Sequence, residues 1–204
     1  MNTITNKAIK QLLWVGIGSI TMFFAGLTSA YVVRKAEGNW TLFVLPDWFL
    51  YSTITIVLSS VLLIIVKKNI QKNILPFKFY KQRINPNVNE KKLINIGRSA
   101  LMMSVFMLGL LFAFFQINGW NSLTNQGVYL TGEGSNVAGS FLYVLTLSHL
   151  VHLLGGLIAL LLTSINTARG KYTSENYFGL ELTSTYWHFL GALWVYLFFF
   201  LKYL

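Results

Sequence analysis

The sequence predicts an all-α, polytopic membrane protein with five transmembrane helices, its N-terminus cytoplasmic and its C-terminus outside. Three observations carry this. Apolar residues make up 54% of the 204 positions and charged residues only 11%, where a soluble domain carries about a quarter. Five stretches run without a single charge. Lysine and arginine gather in alternate links between those stretches. Such a composition excludes a disordered chain, a coiled coil and an ordinary soluble globule. The absence of cysteine excludes a disulfide framework, a thiolate metal site and a cysteine nucleophile.

The first span covers residues 11–33, between Lys10 and Arg34. The residues before it show no signal-peptide pattern and no small-residue cleavage site follows, so it reads as a retained helix. The second covers 48–66 and the third 99–117. The fourth lies in 137–165, longer than a bilayer needs, so that helix is expected to tilt or project. The fifth covers 182–201. A helix rises about 1.5 Å per residue, so about 20 residues cross the roughly 30 Å hydrocarbon layer. Helices are required because a backbone in lipid must satisfy its own hydrogen bonds. A β-barrel would show alternating segments of about ten residues instead. The whole chain, 1–204, reads as a single membrane domain.

Orientation follows from the basic residues. Thirteen of the sixteen fall on the side of the N-terminus: Lys7, Lys10, nine between Lys67 and Arg98, and Arg169 with Lys171. Arg34, Lys35 and Lys202 are on the other. The positive-inside rule places the richer side in the cytoplasm. The net charge of +10 is then a topology signal that also suits anionic lipid headgroups, and no nucleic-acid partner is needed. The 67–98 link holds Pro76 and Pro86, and its Phe77, Phe79 and Tyr80 are expected at the membrane interface. The 118–136 segment, with four glycines and no basic residue, reads as an outside loop.

Chemistry is sparse inside the spans. All six acids lie outside the apolar cores, and Asp47 and Glu181 stand at helix entrances. Proton relays and ion-coupled carriers usually depend on carboxylates near the midplane, so a pump working through this chain alone is not expected. His149 and His152 share one face of the fourth helix, and His188 lies near the start of the fifth. A metal or haem site is one reading of them, since His is a common ligand; a diiron site would want carboxylates alongside. Neutral imidazoles making interhelical or headgroup hydrogen bonds are the plainer reading. Ser148, His152 and Gly156 form a stripe at four-residue spacing, and Gly26 with Ala30 a small-xxx-small pair, both suited to close helix packing. The side of the fifth helix bearing Glu181, Thr185 and His188 is expected to meet the His149/His152 face, because polar groups in lipid need partners. There is no GxSxG, HExxH or Walker loop.

The C-terminal half resembles subunit III of haem-copper respiratory oxidases, the cytochrome c oxidase family. The run TSENYFGLE at 173–181, then Tyr186, Trp187, His188, Phe189 and Trp194, resembles that family's last loop and helix. His149, His152 and Gly156 resemble its HxxHxxxG helix. Gly127-Val128-Tyr129 and Gly139-Ser140 resemble the approach to it, and residues 109–116, Leu45-Pro46 and Ser59-Ser60 fit more loosely. The likeness runs from about Gly16 to the C-terminus and suggests a five-helix form that lacks the first two of the family's seven helices.

The resemblance implies a non-catalytic subunit of a bacterial inner-membrane terminal oxidase that passes electrons from cytochrome c to oxygen and pumps protons. It implies no metal or cofactor in this chain, with haem and copper in partner subunits. It implies packing against subunit I and contact with subunit II, and phospholipids held in a cleft. His149, His152, Gly156, Glu181, Tyr186, Trp187, His188 and Trp194 are the expected structural or lipid-contacting positions. The sequence departs from the family in three places. Residues 19–24 hold no acid where an embedded Glu is common, Gly191 stands where an Asp often follows the YWHF motif, and Gly119 stands where a Glu often precedes the aromatic. A quinol oxidase subunit III, a small transporter and a stand-alone haem protein are the alternatives.

Overall fold

A computed structural model describes residues 3–37, 40, 44–71, 90–132, 135–172 and 176–204. Pro76, Phe77, Phe79, Tyr80, Pro86 and residues 173–175 of the loop motif lie outside the described residues. The described residues form five helices: α1 (Thr3–Lys35), α2 (Trp48–Gln71), α3 (Glu90–Asn125), α4 (Val137–Ala168) and α5 (Phe178–Tyr203). Each is long and apolar enough to cross a membrane.

Every helix extends beyond its charge-free core. Hydropathy marks the lipid-buried part, while the hydrogen-bonded ladder continues as long as the backbone and side chains permit. The largest difference is at α3, which runs through residues 118–125, where the sequence suggested loop. Gly119 is the reason that stretch packs, because the ring of Phe49 on α2 lies where a Cβ would stand, at 2.9 Å. At 32 residues, α4 is roughly 48 Å long, more than the hydrocarbon thickness.

The helix ends have local causes. Asn136 caps α4, its side-chain oxygen accepting from the Gly139 amide at 2.6 Å. Carbonyls of Pro46 and Asp47 accept the first free amides of α2. α3 and α4 end alike. The amides of Val128 and Lys171 each reach back five residues, to Leu123 and Asn166. Gly127 and Gly170 stand between at φ +78° and +68°, a left-handed turn that only glycine adopts without cost.

α2 packs on α3, α3 on α4, α4 on α5, and α5 back on α2, closing a four-helix ring. Neighbours in the ring are antiparallel. Phe49 meets Gly119 near one end of the α2–α3 pair, and the Asn69 carbonyl accepts from Arg98 near the other. α1 rests outside the ring on α4 and α5. Lys10 and Glu181 join α1 to α5 at one end of the bundle, and Thr28 and Tyr196 join them towards the other. One core cluster runs through all five helices, with Phe24, Phe49, Phe112, Leu145, Trp187 and Trp194 among its fully buried members.

The distribution of polarity is the reverse of a soluble bundle. Ser52, Ser59, Gln116, Thr146, His149 and Ser184 are buried, while Leu58, Val61, Met107, Phe114, Val151, Leu154 and Ile158 are exposed. An apolar exterior around an interior that retains hydroxyls suits lipid as solvent, where every polar group must find an internal partner.

Candidate functional site

The interior of the ring is joined by one recurring device. A serine or threonine hydroxyl donates to a carbonyl of its own preceding turn, and its oxygen then accepts from a donor on the facing helix. Ser59 donates to Ile56 O and accepts from Trp187 Nε1 at 2.9 Å. Thr53 donates to Phe49 O and accepts from Trp194 Nε1 at 3.0 Å. Ser52 donates to Phe49 O and accepts from Gln116 Nε2 at 2.8 Å. Thr146 donates to Leu142 O and accepts from Trp120 Nε1 at 3.0 Å. Thr28 of α1 donates to Phe24 O and accepts from Tyr196 OH at 3.2 Å. The back-bond satisfies the hydroxyl proton within its own helix and leaves a lone pair aimed outward. Each pair thus fixes the rotation of two helices without leaving an indole N–H unmet in lipid.

Small residues let the large ones in. A Cβ on Gly109 would stand 2.7 Å from Leu157 Cδ2 and 2.8 Å from Trp187 Cη2. A Cβ on Gly156 would stand 2.8 Å from Leu190 Cδ1 and 3.2 Å from Trp187 Cε3. Trp187 is therefore clamped between α3 and α4 by two glycines and tied to α2 by its N–H. Three helices meet on one side chain of the fourth.

The expected site residues divide into three groups. Trp187, Trp194, His149 and Gly156 come together in the ring. The His149 ring lies 5.1 Å from Trp194, 5.9 Å from Phe112 and 6.5 Å from Phe24, centroid to centroid. His152 is half-buried beneath α1, 5.8 Å from Phe24, with Nδ1 on the Ser148 carbonyl at 2.7 Å. Tyr186 donates to the His152 carbonyl at 3.2 Å. Glu181 lies apart, at the α1 end of the bundle, paired with Lys10 at 2.8 Å. His188 is half-buried on the side of α5 within electrostatic reach of Lys67 on α2.

This corrects one expectation. The face of α5 that meets the His149/His152 face of α4 carries Tyr186, Trp187, Leu190 and Trp194, not Glu181, Thr185 and His188. The bulky residues win because Gly155 and Gly156 leave α4 a groove that only large side chains fill. Nor does His149 make the interhelical hydrogen bond its polarity suggested; neither ring nitrogen has a partner among the described residues.

The donor set is unsuited to a shared metal. His149 is enclosed by aromatic rings, His152 Nδ1 is occupied by a carbonyl, and His188 is half-buried within electrostatic reach of the Lys67 ammonium. Among the described residues, no three His, Asp or Glu side chains gather. Sequence reasoning missed Ser52, Thr53 and Thr146, and touched Ser59 and Gln116 only as loose family matches with no role assigned. Their signal was a hydroxyl or amide in an apolar span of a chain with six tryptophans.

Comparison with known proteins fits this arrangement. The model of the family described as cytochrome c oxidase subunit III matches residues 86–204, from before α3 to the C-terminus. A "Probable cytochrome c oxidase subunit 3" of Mycobacterium tuberculosis is 27% identical over 196 residues, covering 94% of this chain and 84% of its own. One from Nocardia farcinica is 26% identical over 193 residues with the same coverage. A "Cytochrome c oxidase subunit 3" of Synechocystis is 29% identical over 117 residues, 57% of this chain and 44% of that protein. With the family model spanning more than half its length, including the tryptophan- and histidine-bearing helices, this chain belongs to the cytochrome c oxidase subunit III family.

Proposed function

We propose that this chain is the non-catalytic subunit III of a bacterial haem-copper terminal oxidase, working as one membrane domain in the inner membrane with its N-terminus cytoplasmic. The complex carries electrons from cytochrome c to oxygen and pumps protons. This chain supports the catalytic subunit and holds phospholipids along its apolar exterior. One observation carries the reading: the ring spends its polar side chains on holding helices together. Two of its four helix-to-helix contacts are closed by tryptophan N–H groups on hydroxyls, α3 with α4 through Trp120 and α2 with α5 through Trp187 and Trp194. Gln116 closes a third, α2 with α3. Such an interior suits a rigid scaffold better than a conduit.

The outer face of α4 presents Val144, Leu147, Val151, Leu154, Ile158 and Leu162 at three- and four-residue spacing, all exposed. That stripe suits acyl chains or an apolar partner helix. A scaffold role is tested by deleting the chain from the oxidase. Oxygen consumption by the remaining complex should begin near its normal rate and fail sooner during turnover. An immediate and complete loss in an otherwise assembled complex contradicts the reading.

A further inference from the structure

At one level of the ring, each of the four helices contributes a wholly buried polar or indole side chain: Ser52 from α2, Gln116 from α3, His149 from α4 and Trp194 from α5. The contacts fix the level. Gln116 Nε2 donates to Ser52 Oγ, and the adjoining Thr53 accepts from Trp194. Trp194 packs on His149. Phe112, one turn before Gln116 on the same face of α3, packs on both Trp194 and His149 at 5.2 and 5.9 Å. The orientation of the Gln116 amide is not free. Ser52 spends its proton on Phe49 O, so the atom facing its lone pair must be the nitrogen. Gln116 Oε1 therefore points elsewhere, buried and without a hydrogen-bond partner. Both nitrogens of His149 are in the same condition.

An acceptor and an imidazole, both fully enclosed and both unmatched, stand in one layer without bonding to each other. Neutral imidazole offers one donor and one acceptor, and an amide oxygen offers two lone pairs. Left dry, these groups are costly in a lipid-enclosed interior. Water satisfies both sets, since it donates twice and accepts twice, and buried waters typically hold about three such bonds. We propose that the centre of the ring is a built hydration site in which at least one internal water donates to Gln116 Oε1 and bonds a ring nitrogen of His149. The inference rests on these side chains alone and stands independently of the oxidase role.

The test is a density map of the purified protein, in whatever complex it assembles, at a resolution that shows ordered water. A peak within hydrogen-bond distance of both Gln116 Oε1 and a His149 ring nitrogen is expected. An empty space there, or a direct bond between the imidazole and the amide, overturns the proposal. Variants supply a second reading. Gln116→Leu and His149→Phe should each lower the melting temperature of the complex. The double variant, which removes both unmatched groups, should lose less than the two shifts added together, whereas strict additivity overturns the bridge. The native map decides the matter even where a variant does not assemble.

Discussion

Trp187 Nε1 donates to Ser59 Oγ at 2.9 Å while its ring lies against the bare backbones of Gly109 and Gly156. One side chain of α5 therefore sets its distance from three other helices. Trp187→Phe removes the hydrogen bond, worth about 0.6 kcal/mol and no more than about 1.7 inside membrane proteins, and with it the part of the indole that lies over Gly109. Its total cost should therefore exceed that of the bond alone. Ser59 keeps its bond to Ile56 O, so no hydroxyl proton is orphaned. Thermal unfolding of the detergent-solubilised complex measures the difference.

Filling the groove should cost more than losing the bond. Gly109→Ala puts a methyl group where Leu157 and the rigid indole already stand. Overpacking of this kind costs about 1–3 kcal/mol. The expected outcome is a lower melting temperature and a reduced yield of assembled complex. An unchanged melting temperature and yield would mean that the close approach at Gly109 does not hold α5 in place.

Trp194 is fully buried among Phe49, Phe112 and His149. Trp194→Ala opens a large cavity in the ring and should cost about 3–5 kcal/mol. Trp194→Phe keeps most of the volume and should retain folding. Yields of the two variants, compared by quantitative gel filtration in mild detergent, distinguish packing from polarity at this position.

Much of the fold was legible in the residues, and for a physical reason. Lipid tolerates no charge, so the stretches between Lys10 and Arg34 or between Arg98 and Asn118 had to be spans. The helix ends were less legible. Asn118-Gly119-Trp120 reads as loop on composition, yet Gly119 is the contact point for Phe49 and Trp120 bonds Thr146 across to α4. His149, Gly156, Trp187 and Trp194 were singled out from their motif, and the ring gathers them. Their actual partners were not foreseeable from one helix face. Glu181 turned to Lys10 on α1, because a charge at a helix entrance finds another charge at the membrane surface sooner than a histidine inside. The acceptor role of Ser52, Thr53 and Ser59 depends on the rotation of α2 within the ring, which a lone apolar helix does not encode.

The Lys10–Glu181 pair is a polar tie between α1 and the ring at that end. Lys10→Glu should loosen α1 and lower the yield of intact complex, most at low salt where like charges repel furthest. Exchanging the two residues, Lys10→Glu with Glu181→Lys, should restore it. Failure of the exchange to rescue would show that the surroundings, not the pairing, select these charges.

His152 lies beneath α1 against Phe24, with its Nδ1 held by Ser148 O. His152→Ala should weaken assembly or shorten the active lifetime of the oxidase while leaving its initial turnover nearly unchanged. Oxygen-electrode traces followed to inactivation separate the two effects.

Purification settles whether this ring is a redox-silent support for a metal-bearing neighbour. The tagged chain should be isolated twice, once in mild detergent and once stripped of partners, with an optical spectrum and mass spectrometry of each preparation. The mild preparation should contain haem-bearing oxidase subunits, and the stripped chain should show no Soret band. A Soret band on the stripped chain, or a mild preparation free of oxidase subunits, would contradict that role.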